Sequence, residues 1–330
     1  MIPQNLAGRR IAITGSTGFL GTALVERLLR SAPDCELVLI VRPGRRGADR
    51  RVERDILRND AFDNLRSLLG PDGFAEMTAR RITAVAGDVT SDNLGLDAEG
   101  LAALASSDIV VHSAAVVSFD SPLDHAVEVN LLGPVRIVET LAGLGVAPHL
   151  VTVSTCYVAG SRRGRAPEEP VDASSFFVDV DWRTEVDAAR RIRLDTETES
   201  RTPANLTAFR DEAHGELGAA GIPSLAAKTE QLRCRWVDDR MAEAGVARAT
   251  SLGFPDAYAF TKALGNAGRK CGRCFTHERG ARQRAMVEVR RILFCSCKIP
   301  YSSASAVGGQ PGTYTSTGTM RSQPRTTEYE

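Results

Sequence analysis

The chain has 330 residues, 43% of them hydrophobic and 25% charged, and its 41 Lys and Arg balance its 41 Asp and Glu. That length and composition fit a globular fold with a sizeable core, and zero net charge supplies no general basic surplus for nucleic acid or an anionic membrane surface. No run approaches the roughly eighteen apolar residues a spanning helix needs, and the opening MIPQNLAGRRIAITG lacks the charged and apolar regions of a secretory signal, so the expectation is a soluble, cytoplasmic, ligand-handling protein.

Arg10 to Thr14 is a short β-branched run closed by a glycine-rich turn, and Gly21 to Leu29 carries Leu24, Val25, Leu28 and Leu29 at helical spacing. Glu36 to Val41 is continuously apolar, as in a strand buried on both faces. Asp49 to Leu69 reads as one amphipathic helix. Arg81 to Ala86, Asp108 to Ser113 and His149 to Ser154 read as further strands, with a helix over Pro122 to Leu144 between the last two. This repetition predicts an α/β fold with a doubly wound parallel sheet.

From Arg162 to Phe254 the strand signal stops. Arg183 to Leu194 and Leu225 to Ala244 read as amphipathic helices, with Trp182 and Trp236 to bury, so the segment is expected to be a helical insertion. Helix resumes at Asp256 to Leu264. Residues 268–298 are rich in Arg and Cys around one short apolar patch, Ile292 to Phe294, and 300–330 is a Ser/Thr/Gly tail expected to be disordered. Four of the seven cysteines (Cys271, Cys274, Cys295 and Cys297) crowd this part. Their spacing is weighed as a zinc site and rejected, because only one residue separates the second pair and no ribbon pattern surrounds them, so no metal is expected. Cys156 reads as a small buried packing residue.

Thr14-Gly15-Ser16-Thr17-Gly18-Phe19-Leu20-Gly21 joins the first strand to the first helix. Gly15 permits a tight turn, Gly18 lets backbone amides approach a pyrophosphate, and Gly21 lets helix and sheet pack closely, while the helix N-terminus adds partial positive charge. After the second strand comes Val41-Arg42-Pro43-Gly44-Arg45-Arg46, with no acid before Asp49. An acid there would hold the ribose hydroxyls of NAD. Arg42 instead suits the 2′-phosphate of NADP(H). Asp88 and Val89 follow the third strand, where a carboxylate can accept from the adenine amine. Ser113, Ala114 and Ala115 end the fourth with small side chains that leave room for the cofactor, and His112 is expected to pack beside it.

Val151 to Gly160 brings adjacent hydroxyls, Ser154 and Thr155, to the end of the fifth strand, and Tyr258 and Lys262 share one helix face. A phenol titrates near 10 in water, and a neighbouring ammonium favours its ionised form, so the pair suits proton transfer to a reduced carbonyl. A strand-end hydroxyl can hold the developing oxyanion.

Together these residues resemble the extended short-chain dehydrogenase/reductase superfamily, with its Rossmann fold. More narrowly, TGSTGFLG, LIVRPG, GDVT, HSAA, VNLLG, VSTCYVAG and YAFTKALG resemble the fatty acyl-CoA reductases of bacteria, relatives of the male-sterility reductases, over about Gly8 to Gly265. The resemblance implies Tyr258 as the acid, Lys262 as its partner and ribose ligand, and Thr155 or Ser154 as oxyanion donor, with Thr155 favoured. Asn130 matches an asparagine that anchors a proton-relay water, or else ties down backbone in its helix. The implied reaction is NADPH-dependent reduction of a fatty acyl-CoA thioester to an aldehyde, with further reduction to the alcohol left open. A reductase or epimerase acting on a sugar nucleotide or steroid, and a catalytically dead nucleotide-binding remnant, are the alternatives.

The expected organisation is an NADP-binding domain over 1–161, the insertion over 162–254, a catalytic helix over 255–267 and an atypical tail over 268–330. Relatives carry an acid after Leu-Gly, another sheet strand and a substrate lobe. Here Asn266 follows Leu264-Gly265, and neither strand nor lobe is expected, as if the reading frame had shifted or the chain been truncated near residue 265.

Overall fold

Continuously apolar runs become strands in the computed structural model, which describes residues 2–164, 166, 179–218, 224–268 and 291–295, all within the unit Met1–Ser296. A short helix α1 (Ile2–Asn5) precedes β1 (Arg10–Thr14), α2 (Phe19–Ser31), β2 (Glu36–Val41), α3 (Gly47–Val52), α4 (Asp63–Arg81) and β3 (Ile82–Ala86). Then come α5 (Ala98–Ala105), β4 (Ile109–His112), α6 (Leu123–Ala126), α7 (Leu132–Gly143) and β5 (His149–Thr155). Helices α8 (Trp182–Ser200), α9 (Pro203–Leu217) and α10 (Leu225–Ser251) precede α11 (Ala257–Gly268) and β6 (Arg291–Cys295).

The strands among the described residues are parallel, in the order β3-β2-β1-β4-β5-β6. The order reverses between β1 and β4, where a crevice opens beyond the carboxyl ends of the strands. Thr14 lies level with Ile40 and with His112, and His112 with Thr152, so the loops of the crevice emerge along one edge. Ile11, Ile13, Leu37 and Leu39 point to the face covered by α2 and α4, and Ala12, Val38 and Val110 to the face covered by α5 and α7.

The sheet's first layer is fastened by a buried cation. Arg81 donates to the carbonyls of Leu29 (2.8 Å), Ala32 (2.7 Å) and Cys35 (2.8 Å), at and just beyond the end of α2, where unpaired carbonyls favour positive charge.

Three expectations change. The single helix over Asp49 to Leu69 is broken: a π turn at Glu53–Leu57 and a 3₁₀ turn at Asp60–Phe62 interrupt it, and Gly70 at φ +69° bends α4 ahead of Pro71. A strand does follow the Tyr258 helix. The apolar patch at Ile292 to Phe294 lies in β6, which pairs with β5 and places Ile292 level with Thr152, because β5 otherwise offers an open edge to any segment of high β-propensity. Cys156 is exposed, since it leaves the pleat to start the 3₁₀ turn Cys156–Ala159. The expected disorder of 300–330 and the Cys271, Cys274 and Cys297 thiols lie outside the described residues. No helix among the described residues is long and apolar enough to cross a membrane.

Helices α8 and α10 share one apolar cluster with α6, α7 and α11, through Val186, Ala189, Val237, Met241, Leu123, Phe260 and Ala263. The two ends of this helical segment meet: Ser161 N donates to Gly253 O at 2.8 Å. Its rim is ionic. Arg193 bridges Asp124 and Asp238, each at 2.9 Å, and Arg190 meets Glu128 at 2.8 Å while Arg136 holds the other Glu128 oxygen. Partial burial raises the Glu128 pKa, but the hydrogen bonds from Arg136 and Arg190 outweigh that and hold it below the usual carboxylate range. Its ionised form therefore adds stability above the unfolded carboxylate pKa of about 4.3, and the addition is lost as pH falls through the lower folded value. Glu128→Gln is expected to lower the melting temperature at pH 7 and to flatten its fall below about pH 4–5, as read by thermal melts across pH.

Candidate active site

The glycine turn is built against the exit of β4. Gly15 has φ +75°, and a Cβ there would lie 2.4 Å from Ala114 N. A Cβ at Gly21 would lie 2.1 Å from Gly15 O, so both positions admit only glycine. Gly18 N donates to Gly15 O at 3.1 Å, and Gly18 caps α2 in extended backbone. Thr22 Oγ1 donates to Ser16 O at 3.0 Å, tying the turn to the helix.

Thr14 works inside the sheet. Its hydroxyl is buried, lies 2.8 Å from His112 Nδ1 and accepts from Ala114 N at 3.4 Å, so it joins the ends of β1 and β4. His112 is buried at the end of β4. Ser16 Oγ is buried with no hydrogen-bond partner among the described residues, Phe19 is almost fully exposed, Leu20 is exposed and Thr17 is half-buried. A narrow glycine cradle at a helix N-terminus, with an orphaned hydroxyl inside it, fits a dinucleotide pyrophosphate.

Arg42, Arg45 and Arg46 are exposed and make no ion pair among the described residues, whereas Arg50 pairs with Glu53 and Arg51 with Asp55. Arg51 Nη1 also donates to Arg42 O at 2.6 Å, which steadies the loop. Asp88 Oδ1 accepts from Thr90 N at 2.9 Å and from Thr90 Oγ1 at 2.8 Å, so its second oxygen is the one available to a ligand. A Cβ at Gly133 would touch Val89 at 3.6 Å, so Val89 packs on α7. Ser113 N donates to Thr14 O at 3.1 Å, and Ser113, Ala114 and Ala115 are half-buried.

Asn130 sits in a π turn, Val127–Leu131, between α6 and α7, where Leu132 N–H bonds Val127 O. The cause is readable: Pro134 has no N–H to give the Asn130 carbonyl four residues before it. The Asn130 side chain clamps the loop after β4, accepting from Val116 N and donating to Val116 O, both at 2.9 Å, and reaches Thr261 Oγ1 at 3.3 Å. The backbone it ties is that of the β4 loop rather than of its own helix. The carbonyl of Asn130 faces α11 closely enough that a Cβ at Gly265 would come within 2.4 Å of it.

Helix α11 starts with Asp256 Oδ1 accepting from Ala259 N at 2.7 Å. Lys262 is buried and its Nζ donates to Val153 O at 2.8 Å. Tyr258 is half-buried and meets the Phe119 ring edge-on at 6.0 Å between centroids, and Phe119 meets Tyr157 likewise at 6.1 Å. Phe119 was not singled out by sequence; an exposed aromatic in a loop carries no periodic signal.

The two strand-end hydroxyls differ. Thr155 Oγ1 accepts from Tyr157 N at 3.2 Å, which leaves its own proton to donate. Ser154 Oγ accepts from Asn266 Nδ2 at 2.8 Å within the α11 contact. Alternation along β5 sends the two to opposite faces.

A family profile described as Male sterility protein matches residues 13–267. Over 267 residues the chain is 30% identical to fatty acyl-CoA reductase 2, chloroplastic, of Arabidopsis thaliana, spanning 79% of this chain and 38% of that protein. It is 29% identical to fatty acyl-CoA reductase 8 of the same plant, with 79% and 48% covered, and 28% identical to the alcohol-forming fatty acyl-CoA reductase of Simmondsia chinensis, with 80% and 48% covered. The chain thus spans less than half the length of these curated relatives.

Gly15→Ala adds a Cβ at positive φ against the β4 exit. It is expected to weaken binding of a reduced nicotinamide dinucleotide about ten-fold or more, the equivalent of roughly 1.4 kcal/mol, as read by fluorescence titration.

Proposed function

The chain belongs to the male sterility protein family, and from that premise we propose that it is an NADP(H)-dependent oxidoreductase that reduces a fatty acyl-CoA thioester to the fatty aldehyde, releasing CoA. The observation that carries this reading is the hydrogen bond from Lys262, one helical turn from Tyr258 on α11, to the Val153 carbonyl near the end of β5, in the parallel sheet whose β1 leads into the glycine turn. Reduced nicotinamide, when bound, supplies the hydride that adds to the thioester carbonyl carbon.

The residues then divide the remaining work. The Thr155 hydroxyl, fixed by Tyr157 N–H, donates to the carbonyl oxygen as negative charge develops on it. Tyr258 provides the second hydrogen bond, and the proton it gives up ends on the CoA sulfur as the C–S bond breaks and the carbonyl re-forms. Lys262 holds the ribose hydroxyls and places positive charge one helical turn from Tyr258. Asn130 keeps the loop after β4 in place. Thr14 to Gly21 cradle the pyrophosphate, Asp88 and Val89 border the adenine, and Ser113 to Ala115 leave space along the crevice. Arg42, exposed and without an acidic partner among the described residues, supports NADP over NAD.

A long hydrocarbon substrate is supported by the loop after β4, which exposes Val117 (67%) and Phe119 (53%) beside Tyr258. Exposed apolar surface next to polar chemistry suits a ligand with a polar reacting end and an apolar body.

Loss of NADPH absorbance on mixing with palmitoyl-CoA tests the proposal. Turnover with an aldehyde and free CoA as products supports it. Turnover only with sugar nucleotides or steroids would move the protein to another branch of the superfamily, and cofactor binding without any turnover would leave a nucleotide-binding protein. Tyr258→Phe is expected to cut kcat by about 10²-fold or more while leaving NADPH affinity within about two-fold. Arg42→Ala is expected to reduce the preference for NADPH over NADH by about ten-fold, as measured by the two dissociation constants.

A further inference from the structure

Tyr258 and Lys262 stand one helical turn apart on α11, and the same row reaches Asn266 a turn later, because positions four and eight residues on share a face. The row grips β5. Lys262 Nζ donates to Val153 O at 2.8 Å, and Asn266 Nδ2 donates to Ser154 Oγ at 2.8 Å. Two consecutive residues of the strand are thus held by two consecutive turns of the helix, immediately before Thr155.

The second contact is sheltered from water: Asn266 is 7% exposed and Ser154 3%. A buried hydrogen bond of this kind fixes geometry, since either partner left alone is costly. One residue earlier the helix packs closely on the π turn, where a Cβ at Gly265 would come within 2.4 Å of the Asn130 carbonyl. The residue type matters as well. The acid that the family resemblance leads one to expect at this position would bring a charge into the contact and could only accept, whereas the amide donates and stays neutral. Asn266 is therefore built into the β5–α11 joint.

We propose that Asn266 is a positioning residue of the active site: its amide locks Ser154, which sets the strand end that presents Thr155 and the Val153 carbonyl that orients Lys262. Ser154 then belongs to the framework, and Thr155 alone supplies the oxyanion hydroxyl. The inference rests on the reading of α11 and β5 as the reaction centre.

The test is a double-mutant cycle in the full chain with Asn266→Ala, Ser154→Ala and both together, read by NADPH titration and by turnover of palmitoyl-CoA. Each single change is expected to lower kcat about ten-fold with KM for palmitoyl-CoA within about two-fold, and to weaken NADPH about three-fold through Lys262. The double variant should be no worse than the poorer single, because both remove one bond. Wild-type kcat in Asn266→Ala, or effects that multiply in the double variant, would overturn the proposal. If the unaltered chain turns nothing over, the functional reading fails. The NADPH titrations then decide alone: non-additive loss of affinity supports the positioning role, and unchanged affinity refutes it. Should Asn266→Ala not fold, Ser154→Ala, which removes a single oxygen, is compared with Asn266→Asp. That isosteric change replaces the donor with an acceptor and is expected to give kcat and NADPH affinity a new dependence on pH between about 4 and 7, and pH profiles like those of the unaltered chain would refute the role.

Discussion

A missing proton donor shapes the centre of this molecule. Pro134 has no N–H to close the α-helical bond with the Asn130 carbonyl, so the chain widens into the π turn Val127–Leu131. Three features depend on that one defect. The Asn130 side chain is turned toward the loop after β4 and clamps both backbone groups of Val116. The Asn130 carbonyl is presented to α11, where only a residue without a Cβ can pass, and Gly265 stands there. Glu128, on the same turn, reaches outward to Arg190 of α8 and Arg136 of α7. A local loss of one backbone hydrogen bond thus yields contacts to the crevice, to α11 and to the helical segment between β5 and α11.

The joint between α11 and the sheet obeys a similar economy of polar groups. Buried donors and acceptors must be matched, and here side chains do the matching across elements. Lys262 and Asn266 supply donors to β5, Thr261 bonds back to the Ala257 carbonyl at 2.7 Å, and Asp256 caps the first turn. Because these bonds are sheltered, they specify one register of helix against strand, which apolar packing alone does not. Ala257, Ala259, Phe260, Ala263 and Leu264 then fill the space between that register and its neighbours.

The parallel strands were legible because strands buried on both faces leave uninterrupted apolar runs, and Glu36–Val41 and Arg10–Thr14 carry that signal at full strength. The glycine turn was legible because each glycine answers a separate steric demand. What escaped has physical reasons too. Helix α9 buries only Phe209 and Ala213, so its apolar period is too sparse to read. The break at Gly70 depends on a positive φ that a lone Gly-Pro pair only hints at. The strand β6 hid in a segment whose composition looked foreign, and pairing with β5 rather than composition gives it its place. At the site, the roles of Thr14 and Ser154 could not be read from spacing, because their partners His112 and Asn266 lie 98 and 112 residues away. Asn266 looked like the first departure from a familiar pattern, yet it is a buried part of the joint.

The long helical segment between β5 and α11 raises the question of how an insertion leaves the site undisturbed. Its ends are stitched together where Gly160, at φ +75°, approaches Gly253 O so closely that a Cβ would lie 2.6 Å from it. The sheet therefore sees it as a short loop, whatever its length, because the cost of closing a loop grows only slowly once its ends are fixed. The inserted helices do not stand apart, however. Val186, Ala189, Val237 and Met241 belong to the same apolar cluster as Leu131, Phe260 and Leu264, so α11 is packed on one side by the inserted helices and held on another by β5. Removing the insertion would expose the apolar flank of the helix that carries Tyr258 and Lys262. The segment is thus part of the wall that sets where those two side chains stand, and its ion pairs at Asp124, Glu128 and the buried Glu185 tie that wall to its neighbours.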